Sequence, residues 1–598
     1  MNAIKWIIDN LTKVISEAVI DITDKSIIKL QTSPNPSHGD FAFGVFSVAD
    51  MAGYTSCPFD ISKEERKKIS TAGCIKLAKE IAGLIPPDEV IETVTAVGPF
   101  VNFKVRSSAL LNLAFASADH QTWRKLLPKQ KTMVEFLSPN TNKPLHLGHL
   151  RNMCLGDAVA GILAATGQDV VKANLINDRG IHISKSMLAW QLWGNNTTPE
   201  STNKKGDHFV GDFYVRFSKA AETDPTLMER AQEMLLAWEA SDPEIIALWQ
   251  KMNGWVMNGF NQTCSNLGVQ FDKVYYESDT FRLGKDIVEH GIQLGLFQKG
   301  EDGSIFYELP ITKFGLNADG KPKRTTLQRA DGTSVYMTQD LGTAVMKVTD
   351  YGLNRSIYVV GSEQDHHFKS LFFILKQLGY EWADNCHHLS YGMVNLPEGK
   401  MKSREGTVVD ADDLMMDMVE MAKEAITTKH PDLKLDEVTR RAEIIGLGAL
   451  KFYLLVAPPA NTMAFDPTKS ISFDGITGPY CQYAVARARS ILRKAAEKNL
   501  FPATDWTKFD VEGWALVHQI IELPNKIKEA GDKLDPSILA RHIFEIAKAF
   551  NQYYRAVPIL SDRDDAPLTE QRLAMIDVAQ NAVANGLSIL GIGTVEEM

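Results

Sequence analysis

One stretch of the chain combines residue types that bind phosphate: residues 138–151 read SPNTNKPLHLGHLR. The apolar run 133–137 precedes it and a helix-like run follows, which predicts a strand, a glycine-containing turn and the start of a helix. Such a junction directs backbone N–H groups and the positive end of a helix dipole at an anion. His146 and His149 can donate to phosphate oxygens, and Gly148 lets a flat ring approach closely. The stretch therefore predicts a nucleotide site, with ATP as the expected nucleotide.

Four further polar clusters have residue types suited to the same chemistry, and the first and third of them follow predicted strands. They are INDRGI (176–181), DGTSVYMTQDLG (331–342), VGSEQDHH (360–367) and GKMKSREG (399–406). Tyr336 and Asp340 stand four residues apart, so they would share one face of a helix. In the last cluster Lys400, Lys402 and Arg404 could neutralise a triphosphate and stabilise a leaving pyrophosphate. An ordinary charged surface loop is the alternative interpretation of 399–406.

The elements that must position these residues alternate between strand and helix from residue 131 onward. Strands are predicted at 132–137, 169–174 and 356–360, and helices from about residues 150, 184 and 367. This alternation predicts an α/β fold with a Rossmann-like, doubly wound parallel sheet, whose ligands lie at the carboxyl ends of the strands. The Trp-rich, charged sequence at about 190–300 is expected to be an insertion between the two halves of this domain.

The two ends of the chain have different patterns. Residues 1–115 predict a small α+β domain, residues 116–465 the catalytic domain, and residues 466–598 an all-α helical bundle. The predicted bundle helices are 478–498, 511–530, 536–554 and 570–590. A chain of 598 residues is too long for a single core, which agrees with this division.

Composition excludes several classes of protein. The chain has no apolar run of the roughly 18 residues that a membrane span needs, and no secretory pattern at its start, so the cytoplasm is expected. The six cysteines are scattered without a C-x-x-C pair, which argues against a zinc site and a disulfide framework. The net charge of −10 disfavours nucleic-acid binding globally, but affinity for phosphate depends on local basic patches. One such patch is Arg487, Arg489, Arg493, Lys494 and Lys498, for which a solvated helix face is the alternative interpretation.

Together the motifs resemble the class I aminoacyl-tRNA synthetases and, in detail, their arginyl-tRNA synthetase family. Residues 138–151 are similar to that family's form of the His-x-Gly-His motif, and 336–340 (YMTQD) to its Tyr-x-Thr-x-Asp element. GPYCQY (478–483) and ARHIFEIAKAFNQYY (540–554) are similar to its anticodon-binding bundle. HGD (38–40) and VGPFVNF (97–103) are similar to its N-terminal domain. The resemblance covers essentially the whole chain.

The resemblance implies a reaction and its partners. Arginine would attack the α-phosphate of ATP, accompanied by Mg²⁺, to give arginyl-adenylate and pyrophosphate. Arginine would then pass to the 2′-hydroxyl of the terminal adenosine of tRNA(Arg), and activation could require bound tRNA. The implied partners are tRNA(Arg), L-arginine and ATP, with no membrane, no resident metal and a monomeric protein.

The resemblance also implies an arginine pocket. Glu135 and Asp340 match carboxylates that face the guanidinium, a group that pairs with carboxylates in planar, bidentate geometry. Tyr336 matches a tyrosine beside the guanidinium. The groups that match the holders of the α-amino end are Ser138, Asn140 and Gln364. A solvent-facing strand residue is the alternative for Glu135, and a helix cap or first-turn acid is the alternative for Asp340.

The ATP site departs from the class pattern at one point. His146 and His149 match phosphate contacts, Gly148 would lie under the adenine, and Lys400-Met401-Lys402-Ser403 stands where the class has Lys-Met-Ser-Lys. Because the final lysine of that motif is Ser403, another cation must stabilise the pyrophosphate. Lys143, three residues before His146, and Lys402 are the two candidates, and the sequence leaves the choice open.

Contacts to tRNA are expected from the C-terminal bundle. The matching residues are Arg487, Arg489, Tyr553 and Tyr554, since unpaired bases stack on aromatic rings and their backbone attracts cations. A buried tyrosine is the alternative for either Tyr553 or Tyr554. In the N-terminal domain, Phe41 or Phe43 is a candidate contact to the tRNA elbow.

Other functions fit the sequence less well. A class I synthetase for cysteine would need zinc ligands, and one for glutamate would need an arginine in the pocket instead of Glu135 and Asp340. A nucleotidyltransferase with the same nucleotide motif would lack the tRNA-binding ends. A tRNA-binding paralogue without activity is disfavoured because Lys143, His146 and His149 are all present.

Overall fold

The computed structural model describes residues 3–20, 24–33, 35–56, 62–281, 283–330, 333, 335–396, 409–504, 510–560 and 566–598. Four predicted ATP-site residues, Lys400, Met401, Lys402 and Ser403, lie outside the described residues, as does the rest of the predicted 399–406 loop.

The first part of the chain is an α+β module. Its helices are α1 (Ala3–Ala18), α2 (Phe46–Met51), α3 (Lys63–Leu84), α4 (Ser107–Ala118) and α5 (His120–Trp123). Its strands are β1 (Leu30–Thr32), β2 (Phe41–Gly44), β3 (Ile91–Val97) and β4 (Phe100–Val105). The strands pair antiparallel in the order β1-β2-β4-β3. Gly98 makes the tight turn between β3 and β4 at φ +56°, a conformation that favours glycine.

A parallel sheet begins at residue 131, and a helical insertion interrupts it. The elements are β5 (Lys131–Glu135), α6 (Leu147–Ala165), β6 (Asp169–Ile176), α7 (Ile181–Trp193), α8 (Pro199–Thr202), α9 (Gly206–Ala221), α10 (Thr226–Glu239), α11 (Pro243–Leu267) and β7 (Lys273–Tyr276). The range predicted to be an insertion, 190–300, thus contains β7, which pairs with β6 as a strand of the main sheet. Sequence reasoning missed β7 because it has only four residues, at the edge of the sheet.

The second half of the domain adds a small antiparallel sheet and then completes the main one. The elements are α12 (Glu277–Thr280), α13 (Lys285–Gln293), β8 (Gln298–Lys299), β9 (Ile305–Glu308), α14 (Ile311–Phe314), β10 (Arg324–Gln328), α15 (Tyr336–Tyr351), β11 (Arg355–Gly361), α16 (Asp365–Gln377), β12 (Cys386–Tyr391) and β13 (Val394–Asn395). The sheet β10-β9-β8 is antiparallel and was not predicted.

The main sheet has the order β12-β11-β5-β6-β7, and its strands are all parallel. The chain winds from β5 through β6 to β7 and then returns to the other side of β5 with β11. The topological switch point therefore lies between β5 and β11, where open α/β sheets form a crevice at the strands' carboxyl ends. The predicted doubly wound sheet is confirmed.

The remainder of the chain is mainly helical, as predicted. The elements are α17 (Ala411–Lys429), α18 (Leu435–Leu455), β14 (Met463–Ala464), α19 (Pro467–Ser470), α20 (Gly478–Glu497), α21 (Trp514–Lys533), α22 (Pro536–Ala556) and α23 (Ala566–Ile589). Thr477 caps α20 by accepting a hydrogen bond from the Tyr480 N–H, and Pro479 sits in its first turn, both usual helix starts.

One continuous hydrophobic core joins these parts. It includes Ile7 in α1, Phe136 at the end of β5 and Ile543 in α22. None of the helices in the described ranges combines the length and apolar character that crossing a bilayer requires.

Candidate active site

The loop that leaves β5 has an unusual backbone. Leu137 and Ser138 have φ values of +78° and +46°, a left-handed conformation that is uncommon away from glycine. The amide of Asn152 in α6 holds this turn, because its Oδ1 accepts from the Leu137 N–H at 2.5 Å and its Nδ2 donates to the Val359 carbonyl at 2.8 Å. Asn174 Oδ1 accepts from the Ser138 N–H at 3.0 Å. Strain of this kind persists only where the surroundings fix it, and it is common at functional sites.

His146 and His149 stand at the start of α6, as predicted. His146 is the N-cap residue, and its Nδ1 accepts from the Gly148 N–H at 3.1 Å. His149 Nδ1 accepts from the His146 N–H at 3.1 Å, and the two ring centroids lie 3.8 Å apart. Because each Nδ1 is an acceptor, the proton of each neutral ring lies on Nε2.

The electrostatic surroundings keep both rings neutral. Burial and the charge of Lys143 lower the pKa of His146 to about 4. Burial, His146 and Lys143 hold the pKa of His149 well below its usual value. Each ring can therefore donate one neutral Nε2–H bond near pH 7, with Lys143 supplying the positive charge of the junction.

Position 148 requires glycine for a local structural reason, in addition to the predicted close approach of a flat ring. A Cβ atom built at this position would lie 3.0 Å from His146 Cε1. A side chain here would push the capping imidazole out of position, so glycine keeps His146 over the first turn of α6.

The strand-helix junction also contacts the chain that follows the undescribed segment 397–408. Leu147 N–H donates to the Val409 carbonyl at 2.9 Å, and Ala411 N–H donates to the Leu145 carbonyl at 3.0 Å. His146 and Asp410 thus form an antiparallel bridge. Residues 409–411 therefore lie directly beside the histidines.

Near this bridge lies a group of ionisable residues whose side chains are of the kinds that bind metal ions. Asp207, His208 and Asp412 place ligand atoms within 4.8 Å of one another. The Lys205 ammonium lies 2.5 Å from Asp412 Oδ2 and 3.2 Å from Asp207 Oδ2, so it already supplies a positive charge. A hydrogen bond to Asp412 raises the pKa of His208. The arrangement fits an ion-pair network that ties α9 to α17 better than a metal site.

Of the two predicted guanidinium-binding carboxylates, Glu135 ends β5 at the carboxyl edge of the sheet and Asp340 lies on α15. Glu135 is 6% exposed, so the alternative of a solvent-facing strand residue is wrong. Its carboxylate pairs with the Lys347 ammonium of α15, a partner that sequence reasoning missed. Asp340 lies in the second turn of α15 and accepts from His367 Nε2 at 2.6 Å, with its side chain 32% exposed.

The other predicted pocket residues are more open. Tyr336 begins α15 and is 71% exposed, while Asn140 and Gln364 are also exposed and Ser138 is half-buried. Asn140 forms a parallel bridge with Asn177, which continues the pairing of β5 and β6 beyond the strands. Ser138 and Asn140 stand on the loop after β5 and Gln364 stands after β11, beside the switch point, whereas Tyr336 stands at the start of α15.

The 176–181 cluster mainly anchors the insertion. The Asp178 carboxylate accepts from the Ser278 N–H at 2.9 Å and hydroxyl at 2.7 Å, and its carbonyl accepts from Trp249 Nε1 at 2.6 Å. The Arg179 guanidinium lies 4.2 Å from the Phe281 ring centroid and 2.7 Å from Glu239. The cluster therefore fixes α10–α12 against the end of β6.

In the helical bundle, the structure corrects one predicted tRNA contact. Tyr553 is 3% exposed and its hydroxyl donates to Asp510 at 3.0 Å, so its ring cannot stack on a base. Tyr554 is 38% exposed, and the Arg487 guanidinium lies 5.1 Å from its ring centroid. Arg489 pairs with Glu596 at 2.9 Å and donates to the Val595 carbonyl, so the C-terminal segment already engages it.

The N-terminal candidates are also corrected. Phe41 and Phe43 are 2% and 1% exposed and belong to the core, which excludes stacking on RNA. The neighbouring Asp40 is fully buried and accepts from Trp514 Nε1 at 2.9 Å and His518 Nε2 at 3.2 Å of α21. The 38–40 motif thus joins the N-terminal module to the bundle.

Comparisons with known proteins agree with this arrangement. Residues 8–105 match the arginyl tRNA synthetase N terminal domain, residues 113–466 the catalytic domain of tRNA synthetases class I (R), and residues 481–598 the DALR anticodon binding domain. The arginine–tRNA ligase of Treponema denticola is 41% identical over 99% of this chain and 98% of its own length. That of Bacteroides thetaiotaomicron is 44% identical over 88% and 91%. The solved arginyl-tRNA synthetase of Thermus thermophilus superposes with a TM-score of 0.75 at 25% identity, covering 99% of this chain and 100% of that one.

Proposed function

The chain belongs to the arginyl-tRNA synthetase family of class I aminoacyl-tRNA synthetases, and from this premise we propose which residues carry its reaction. Its activity is that of an arginine–tRNA ligase, which uses ATP to attach arginine to tRNA. The proposed active site is the crevice between the carboxyl ends of β5 and β11. The observation that carries this placement is the junction of Leu137–His149, which combines a strained turn, a helix N-terminus and two neutral imidazoles.

Arginine is proposed to bind with its guanidinium between Glu135 and Asp340. Carboxylates favour this group because it presents several donors in a fixed plane and carries a permanent charge. Tyr336 would cover the guanidinium from the first turn of α15. The α-amino end would be held by Ser138, Asn140 and Gln364.

ATP is proposed to lie over the start of α6. The Nε2–H groups of His146 and His149 would donate to its phosphates, and Gly148 would face the adenine. Mg²⁺ would enter with the triphosphate and neutralise part of its charge. The protein then contributes position and charge, which suffice for in-line attack by the arginine carboxylate on the α-phosphate.

Lys143 is proposed as the main cation for the departing pyrophosphate, with Lys402 as the alternative. Lys143 is exposed and stands three residues before His146, and its charge contributes to lowering the pKa of His146, His149 and His182, which supports this proposal. Lys143→Ala is expected to slow adenylate formation by roughly a hundredfold or more while leaving tRNA binding near normal. Pre-steady-state adenylate formation and a tRNA binding titration check this, and an unchanged activation rate would assign the role to Lys402.

Transfer is proposed to go to the 2′-hydroxyl of the terminal adenosine of tRNA(Arg). Arg487 and Tyr554 of the bundle are the proposed anticodon-side contacts, since their side chains are adjacent and partly exposed. The protein is proposed to act as a monomer in the cytoplasm.

The test is pyrophosphate exchange into ATP with each of the twenty amino acids, with and without total tRNA. Exchange with arginine alone is expected, together with a dependence on tRNA. Exchange with another amino acid would overturn the assignment of Glu135 and Asp340. Exchange with arginine in the absence of tRNA would remove only the proposed tRNA requirement.

A further inference from the structure

Lys347 has an environment that is unusual for lysine. It is 2% exposed, although lysine side chains are almost never buried unless they are paired. Its partner is Glu135, and the contact joins α15 to the carboxyl end of β5. A buried ion pair adds little net stability, because both ions lose their hydration. The more informative effect of this pair is that it fixes the orientation of the Glu135 carboxylate.

Aromatic rings complete the surroundings of the Lys347 ammonium. Its Nζ lies 5.5 Å from the ring centroid of Tyr275 and 5.4 Å from that of Tyr358. Tyr358 stands directly opposite Glu135 in the β5–β11 ladder. Both tyrosine hydroxyls are buried without a hydrogen-bond partner among the described residues, and burial raises the pKa of both, so they are uncharged. In this cluster the positive charge beneath Glu135 comes from Lys347.

The two proposed guanidinium partners differ in how they are held. Asp340 and Lys347 stand seven residues apart on α15, which places them on one face of the helix. Asp340 is partly exposed and its neighbour is the His367 imidazole, which can donate while neutral. Glu135 is buried against a permanent cation. The two carboxylates of Glu135 and Asp340 and the one ammonium of Lys347 have one net negative charge, which matches one guanidinium.

We propose that Lys347 is a specificity-determining positioning residue, which holds the Glu135 carboxylate oriented as a hydrogen-bond acceptor for the substrate guanidinium. Asp340 then supplies the counter-charge of the substrate. This inference rests on the proposed placement of arginine between Glu135 and Asp340.

The physical consequence of removing Lys347 follows from burial. A buried carboxylate without a cation takes up a proton, because the charged form has lost its hydration. Protonated Glu135 would present a donor to a guanidinium, which has donors and no acceptor. Arginine binding should weaken, and discrimination against citrulline, whose ureido group is neutral, should fall.

The experiment measures pyrophosphate exchange at saturating ATP and tRNA while arginine is varied. Lys347→Met is expected to raise the KM for arginine by about tenfold to a hundredfold, the range for losing one charge-assisted hydrogen bond. The kcat should change by less than about threefold, since this pair is proposed to contact the guanidinium and not the reacting carboxylate or phosphate. Lys347→Arg, which keeps the cation, should restore most of the lost affinity.

Two comparisons separate positioning from a general structural effect. Lys273→Met removes another ammonium that lies 5.2 Å from the same Tyr275 ring, and it should leave the KM for arginine unchanged. Glu135→Gln alone should raise that KM. Adding Lys347→Met to Glu135→Gln should raise it no further, because the two residues act through one interaction.

The outcomes distinguish the inference from the proposed function. An unchanged KM in folded Lys347→Met, or an equal further rise in the Glu135→Gln background, would overturn the role of Lys347. An unchanged KM in Glu135→Gln would overturn the proposed pocket itself. If Lys347→Met alone fails to fold, the double variant of Glu135→Gln and Lys347→Met is used, because it buries no uncompensated charge. Its KM for arginine is then compared with that of Glu135→Gln alone.

Discussion

At the scale of single residues, the active site depends on an asparagine that carries no catalytic motif of its own. Asn152 is 5% exposed and joins three elements, since it accepts from Leu137 N–H and donates to the carbonyl of Val359 in β11. The turn it holds carries Ser138 and Asn140 to the switch point. A left-handed turn without glycine costs on the order of 1–3 kcal/mol per residue, so the clamp has to offset that strain.

Asn152→Ala should therefore reduce both stability and activity. Loss of two buried hydrogen bonds is expected to lower the free energy of unfolding by about 2–4 kcal/mol. The kcat/KM for arginine should fall at a temperature where the variant is folded, because the turn relaxes away from its strained conformation. Urea unfolding and pyrophosphate exchange measure the two effects.

The control for this variant is Asn261→Ala, which changes an exposed asparagine within α11. It should alter stability by less than about 0.5 kcal/mol. If Asn152→Ala retained the stability and arginine kinetics of the parent, the clamp would have no energetic role.

The depressed pKa of His146 predicts a dependence of stability on pH. An unfolded histidine has its ordinary pKa of 6.5, whereas burial and the charge of Lys143 lower the pKa of His146 to about 4 in the folded chain. Between these values the unfolded state binds more protons, so the free energy of unfolding falls as pH decreases. The contribution of this one residue is about 3 kcal/mol, fully lost below pH 4.

His146→Asn isolates that contribution, because asparagine is also a good N-cap acceptor but does not titrate. Urea midpoints of the parent and the variant should differ in their slope between pH 7 and pH 5, with the variant less sensitive to acid. His120→Asn changes an exposed imidazole in α5 and is the comparison. Parallel pH profiles for His146→Asn and the parent would contradict the depressed pKa.

At the scale of elements, α6 connects separate segments of the catalytic domain through buried hydrogen bonds. Its Arg151 is fully buried, and the guanidinium donates to the carbonyls of Gly392, Met393, Pro459 and Asn461 at 2.7–3.0 Å. These carbonyls belong to the segments before β13 and before β14. One planar side chain thus satisfies four acceptors that link β12, α18 and α6.

Arg151→Lys should be strongly destabilising, although it preserves the charge. An ammonium is a compact donor that cannot reach four carbonyls set around a planar fork, so buried acceptors would be left without partners. The expected loss is about 3 kcal/mol or more, measured by denaturant unfolding. Arg541→Lys is the matched control, because Arg541 is exposed and donates to a single carbonyl, that of Val456. Equal effects of the two substitutions would show that the four-fold contact is not what stabilises the chain.

The elements were largely predictable because their periodicities are local. The bundle helices begin and end within a few residues of the prediction, and β5, β6 and β11 occupy the predicted runs. Tyr336 and Asp340 could be placed on one helix because a spacing of four is visible in the sequence, and α15 contains both. Lys347 and Asn152 could not be identified from the sequence, because their partners are distant along the chain. The partner of Lys347 is 212 residues away, and those of Asn152 are 15 and 207 residues away. Tyr553 and Tyr554 are adjacent, and only packing decides which of the two is buried.

At the scale of the whole molecule, the three parts share one core and a small number of buried polar links. Asp40 is one of these links, because it lies in the N-terminal module and its carboxylate accepts hydrogen bonds from Trp514 and His518 of α21 in the bundle. The motif around it is similar to the N-terminal domain of the family, which is expected to contact the tRNA elbow, but the carboxylate of Asp40 is buried. Sequence reasoning could not see this, because Trp514 and His518 are more than 470 residues away.

Asp40→Asn should loosen the N-terminal module while leaving the active site in place. The carboxylate accepts hydrogen bonds from Val105 N–H at 2.7 Å and from Trp514 and His518. An asparagine amide has only one acceptor oxygen, and its NH₂ group would face one of these donors. The expected loss is about 3 kcal/mol, and the module should become sensitive to protease. The KM for arginine in pyrophosphate exchange should remain unchanged, because the hydrogen bonds of Asp40 within the described part of the chain go to the N-terminal module and to α21. Asp532→Asn removes an exposed pair with Lys528 on the same helix α21 and should cost less than about 0.5 kcal/mol.

The acid response of Asp40 gives the same link a second, independent test. Burial raises the pKa of this carboxyl, but the hydrogen bonds from His518 and Val105 outweigh it, so the pKa lies below its usual value of 3.8. The stabilisation is therefore present above that value and is lost as pH falls through the lower folded pKa. In Asp40→Asn this part of the acid dependence should disappear, so the stability difference between parent and variant should shrink as the pH approaches 2. A difference that stays constant from pH 7 to that limit would mean that packing against Trp514, and not the charge of Asp40, holds the module to the bundle.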